Sequence, residues 1–153
     1  MTSRLSRIAR DERGNAFVEM GLILPVFATL LVGATDMARG YSAKLHLEQA
    51  AQRSIEYVQV RDFVETDVTE IKNNAAAAAS VSASAVTVDY WLECNASRQG
   101  NYNGTCEQNA TMARFLSVEV KKPFKPMFGT KFFPGASANG TIEVKAKAGV
   151  RTQ

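Results

Sequence analysis

A single carboxylate, Glu19, stands near the start of the otherwise uncharged stretch 16–34, five residues after Gly14 and downstream of Arg4, Arg7, Arg10 and Arg13. A carboxylate at the centre of a membrane helix costs up to about 3 kcal/mol on insertion scales, and less near an interface. An acid at this position therefore calls for a compensating partner, or else rests at headgroup level. One turn into a helix it also meets the positive end of the helix dipole, worth about 0.3–1 kcal/mol to an anion. The other residues of chemical interest are few. His46 is the single histidine, with no neighbouring Ser or Cys and supporting acid. No glycine-rich phosphate loop, metal-ligand spacing or paired-acid motif is present, so the expectation is no catalytic residue, no metal and no cofactor.

The element that must position Glu19 is a helix. As an α-helix, 16–34 is about 28 Å long against a hydrocarbon core of about 30 Å, so it just spans. Arginines before the span and Asp36 after it place the N-terminus in the cytoplasm by the positive-inside rule. The expected organisation is a cytoplasmic leader at 1–14, a transmembrane helix at 15–35 and an extracytoplasmic domain at 36–153. A competing reading takes Val32 and Ala34 as a signal-peptidase site, with everything before Thr35 removed. The net charge of +3 owes much to the leader, which leaves 14 basic against 13 acidic residues beyond it. Nucleic-acid binding gains no support from that balance.

Export makes Cys94 and Cys106 a disulfide candidate closing a short loop, because no His or further Cys lies near them to complete a metal site. The enclosed "CNASRQGNYNGTC" reads as an exposed loop stapled at its base. From Asp36 to about Gln59 no proline interrupts, and Met37, Tyr41, Leu45, Ala51, Ile55 and Val58 recur at helical spacing. The spacing predicts one long helix with Gly40 as its weak point. A second helix begins near Thr66–Glu70 and continues through the alanines 75–79. Three strands follow by alternation: 86–93, 116–121 and 142–148. The predicted class is α+β: a long N-terminal membrane-spanning helix continuing into a soluble domain with a second helix and a three-stranded antiparallel sheet.

Gly14-Asn15-Ala16-Phe17-Val18-Glu19, after a basic leader and before an apolar helix, resembles the prepilin peptidase site of type IV pilin-like proteins. Adding Leu24-Pro25, Asp36, Arg39 and Gln49-Ala50-Ala51, residues 13–58 resemble the TadE-like minor pilins, or pseudopilins, of the tight-adherence pilus machinery. The chain is longer than the major pilins of that system, and Met20 follows Glu19 where those favour an aromatic. The resemblance implies cleavage between Gly14 and Asn15 on the cytoplasmic side, leaving Glu19 as the fifth residue of the processed chain. It also implies a role in initiating or supporting pilus assembly, adhesion and biofilm formation. The implied partners are the major pilin, a TadF-like minor pilin, the prepilin peptidase, the inner-membrane assembly platform and membrane lipid, with no nucleic acid.

Elementary chemistry is compatible with such an arrangement. Glycine leaves the scissile backbone open, and a carboxylate about 4 Å from the new ammonium of a neighbouring chain gains roughly 4 kcal/mol at an effective dielectric near 20, before desolvation. Pro25 removes the hydrogen bond to the carbonyl of Gly21 and is expected to kink the helix, or else is merely tolerated. "KKPFKPMFGTKFFPG" interleaves lysines with Phe124, Phe128, Phe132 and Phe133. Those rings either fill the end of the core or form a partner patch. The alternative to the pilin reading as a whole is a secreted or membrane-anchored extracytoplasmic binding module with an ordinary signal or anchor segment.

Overall fold

The computed structural model describes residues 15–60, 63–127 and 137–152. Gly14, with the rest of the expected leader, and Phe128, Phe132 and Phe133 lie outside the described residues. The chain divides into two compact units, Met1–Ala38 and Arg39–Gln153. Helix α1, Asn15–Val60, contributes to both and runs without a break through Pro25 and Gly40.

Within the second unit, α1 buries Leu47, Ala50, Ala51, Ser54, Ile55 and Val58, a stripe with steps of three and four. The hydroxyl of Ser54 donates to the Ala50 carbonyl at 2.8 Å, so the one polar member of the stripe is satisfied. This corrects the sequence-based stripe at its N-terminal end. Met37, Tyr41 and Leu45 are 73, 65 and 39 % exposed. Two successive steps of four advance about 80° around a helix, so a pattern of large apolar residues drifts off the core face. Small alanines and a serine, which hydropathy undervalues, take their place.

A 3-10 turn at Glu65–Asp67 leads into α2, Val68–Ala79. The Asp67 carboxylate accepts from the Val64 N–H at 3.1 Å. At the other end Ser80 adopts a left-handed φ of 53°. Its N–H reaches the Ala77 carbonyl, and that of Val81 reaches the Ala76 carbonyl, a doubly bonded left-handed cap. Ile71, Ala75, Ala76 and Ala79 are buried, whereas Ala77 is exposed. The alanine run is thus a contact face that lets α2 lie close to the sheet. Ala79→Leu is expected to cost about 1–3 kcal/mol by overpacking, and Ala77→Leu to be nearly neutral, in denaturant unfolding of the full chain in detergent. Equal effects at both positions would refute close packing on that face.

Among the described residues the sheet has four strands: β1 Val86–Cys94, β2 Ser97–Gln99, β3 Met112–Phe124 and β4 Ile142–Arg151. Their order is β2-β1-β3-β4 and every pair is antiparallel. Val86, Val88 and Tyr90 stand opposite Val120, Val118 and Leu116, which in turn face Ala146, Ala148 and Val150. These residues close over the stripe of α1 and the alanines of α2 in one hydrophobic cluster. Lys122 donates from Nζ to the Ala79 carbonyl at 3.3 Å, placing a cation at the negative end of α2.

Two features differ from the expected three-stranded sheet. The loop after Cys94 contains β2, whose three residues are all exposed and carry no apolar alternation. It forms because Asn95 and Ala96, with φ of 50° and 62°, make the two-residue turn whose twist suits a hairpin. An alanine is a poor occupant of that conformation. Ala96→Gly is expected to raise stability by about 0.5–1 kcal/mol in the same unfolding measurement. Second, β3 continues to Phe124, beyond the 116–121 expected from alternation, with Pro123 opposite Glu143 near the strand end. Proline cannot donate to the ladder, so a position near a strand end is where a strand accepts it.

Candidate functional site

Asn15 opens α1, which places Glu19 one turn in from the N-terminus, exposed. Around and beyond it Phe17, Met20, Leu22, Leu24, Phe27 and Leu30 are all at least 58 % exposed. A helix that is apolar nearly all round and that no other described residue covers suits a hydrocarbon environment rather than water. The described helix from Phe17 onward contains a window of mean hydropathy 2.0, long and apolar enough to cross a membrane. Two of its hydroxyls bond back to the helix's own carbonyls. The hydroxyl of Thr29 donates to the Pro25 carbonyl at 2.6 Å and that of Thr35 to the Leu31 carbonyl at 2.8 Å. Further along, Asp36 is 2 % exposed and the Arg39 guanidinium lies 5.8 Å above the ring of Phe124.

Residues 14–55 match the family described as TadE-like protein. Over its stem the chain is similar to TadE-like proteins. The match runs from Gly14, through Glu19, Pro25, Asp36 and Arg39, to Ile55 in the buried stripe, and it associates the chain with the Tad pilus system. The sheet lies beyond it. No curated protein matches the chain, and no solved structure does.

Outside the TadE-like stem, the sequence-predicted residues fall in separate places. Cys94 and Cys106 form a disulfide with Cα atoms 5.6 Å apart, at the end of β1. Phe124, the described member of the aromatic patch, is half-buried at the end of β3, where its ring lies 3.6 Å from the place a side chain on Gly40 would occupy. His46 is exposed. Among the described residues no group of three or more His, Cys, Asp or Glu is placed to hold a metal ion.

Sequence reasoning missed a polar and aromatic ladder on the outer face of the sheet. Trp91 and Phe115, opposite each other on β1 and β3, stack at 5.4 Å. Arg98 of β2 lies 4.8 Å above the indole and makes two hydrogen bonds to Asp89, at 2.7 and 3.2 Å. That pairing holds the Arg98 guanidinium above its ordinary pKa. The Trp91 Nε1–H donates to Glu93 at 2.7 Å. The ladder explains how an exposed three-residue strand is kept in register. Asn95 as the first residue of a two-residue turn was the available signal for it.

On the inner face, Tyr102 reaches back from the disulfide loop and is 8 % exposed. Its ring meets those of Phe63 and Tyr90 edge-on or nearly so. Arg114 donates to the Tyr102 and Gly104 carbonyls at 3.0 and 3.2 Å. The loop is therefore a packed lid over one end of the core, not a free tether.

Proposed function

We propose that this chain is a minor pilin-like subunit of a tight-adherence pilus, held in the inner membrane by α1 with its N-terminus cytoplasmic and its α+β unit outside. In this reading a prepilin peptidase cuts between Gly14 and Asn15. The new ammonium of one chain then meets the Glu19 carboxylate of a neighbour, which sets the register of the assembling stems. The observation that carries the proposal is the coincidence at one helix end: the TadE-like match begins at Gly14, and Glu19 stands one turn inside an exposed apolar helix. The chain acts as structural subunit and protease substrate rather than enzyme. Its partners are the major pilin, a TadF-like minor pilin and the assembly platform, and its role is in initiating or supporting pilus assembly, adhesion and biofilm growth.

The test is mass spectrometry of the mature N-terminus from cells with and without the peptidase. Asn15 is the expected first residue, and its appearance should depend on the enzyme. Thr35 would indicate an ordinary secreted module, and an uncut Met1 a plain anchor. Glu19→Gln should leave cleavage intact and reduce co-purification with the other pilins by about tenfold, since the full charge of the pair is lost. Unchanged recovery would refute the register role of Glu19.

A further inference from the structure

The two edges of the sheet are unequal. At one side lies β2 with three residues, and at the other lies β4 with ten. Among the described residues no strand pairs with the outer side of β4, which leaves a row of main-chain donors and acceptors. Beside that edge runs a cleft of about 370 Å3, walled by Gln52, Ile55, Glu56 and Gln59 of α1 and floored by Lys147, Ala148 and Gly149 of β4. It lies where the inward side chains of a further strand would fall.

Charge narrows the occupant. On the outer face β4 carries Glu143, Lys145, Lys147 and Arg151. Glu143 is already paired with Lys145 at 2.8 Å, which holds the Glu143 carboxyl below its ordinary range and Lys145 above its own. Glu119, opposite Lys147 in the register, is paired with Lys121 at 3.3 Å. Among the described residues Lys147 has no ion-pair partner within 4.0 Å, although it borders the cleft. A second copy of β4 fits poorly. In an antiparallel pair about a two-fold axis, every register centred between Lys145 and Gly149 sets a lysine or arginine against another, and like charges directly opposite are destabilising. The lysines thus guard the edge against self-pairing while leaving it open to the opposite charge. The inner side has a different demand. Glu56 repels an acid there, and Ile55 with Ala148 leaves room for small neutral side chains.

We infer that the β4 edge and its cleft form a strand-accepting site for an extended acidic segment of another protein, with glutamate or aspartate outward beside Lys147 and small neutral residues inward against α1. Backbone hydrogen bonds to β4 supply the attachment and the face-by-face alternation supplies the selection. This goes beyond the pilin reading and does not depend on it, since the site requires only the sheet edge and α1.

The test uses the full chain in detergent micelles and a short end-capped synthetic peptide alternating alanine or valine with glutamate, followed by fluorescence anisotropy and by hydrogen exchange across 142–151. Saturable binding with slowed exchange in β4 is expected. Lys147→Glu should weaken binding about tenfold, Lys147→Gln less so, and neither is buried enough to disturb folding. The same peptide with alternate backbone amides N-methylated should not bind, nor should a version with lysine in place of glutamate. Absence of binding, or binding that survives N-methylation or Lys147→Glu, would overturn the proposal. So would protection of β4 that grows with protein concentration in the absence of peptide, which would make a second copy the occupant.

Discussion

Leu116→Ala is expected to remove about 2–5 kcal/mol from the unfolding free energy of the unit Arg39–Gln153, measured on the full chain in detergent by denaturant titration. The single tryptophan, Trp91, stacks on the adjacent Phe115 and reports the transition by fluorescence. Leu116 is fully buried, on the central strand β3, between Tyr90 of β1 and Val150 of β4. Its side chain belongs to the cluster that joins the sheet to Leu47 and Ile55 of α1 and Ile71 of α2. Truncation leaves a cavity with helix on one side and strand on both flanks, so collapse to fill it would need several elements to move. Against a total stability of about 5–15 kcal/mol for a domain of this kind, such a loss is a large fraction. Met112→Ala on the same strand, 37 % exposed, should cost no more than about 1 kcal/mol. A Leu116→Ala loss as small as that would mean that helices and sheet do not share a tightly packed core.

The second large effect is expected from the disulfide. Replacing Cys94 and Cys106 together with alanine should lower stability by about 2–3 kcal/mol, the loop-closure entropy of a bridge with this separation. The folded loop should nonetheless survive the change, because Arg114 holds two of its carbonyls and Tyr102 packs against Phe63 and Tyr90. The outcome to look for is a shifted transition with the same folded-state Trp91 fluorescence. Arg114→Ala in the disulfide-free background should add a further loss of about 1–3 kcal/mol, since the guanidinium serves two carbonyls. No shift from the double alanine variant would mean that the reduced chain already confines this loop when unfolded.

Much of the architecture was legible in local pattern. A run of membrane length with a single charge, the arginines before it, and alternation at 86–93, 116–121 and 142–148 led to a long helix, a second helix and an antiparallel sheet of α+β class. Those features depend on residues close together in the chain, where helix and strand periods are written directly. The TadE-like resemblance of the stretch that holds Gly14 and Glu19 was legible for the same reason, and the family match covers that stretch. The aromatic segment was less so. Its described member, Phe124, turned out to pack over Gly40 and beneath Arg39, a contact between residues more than eighty positions apart.

By itself, then, the sequence determined that this protein has an apolar stem with one acid near its start, a pair of bridgeable cysteines, and strands with one oily face. Only the tertiary structure decided which side of α1 is buried, because Ala50, Ala51 and Ser54 become core through what lies against them and not through their own hydropathy. It decided that an exposed segment without alternation is a strand, because a left-handed turn and Arg98 hold it against β1. It also decided that β4 is an edge with Lys147 beside a cleft, since strand order is a relation among segments far apart in the chain, and burial, pairing and charge balance are properties of that relation.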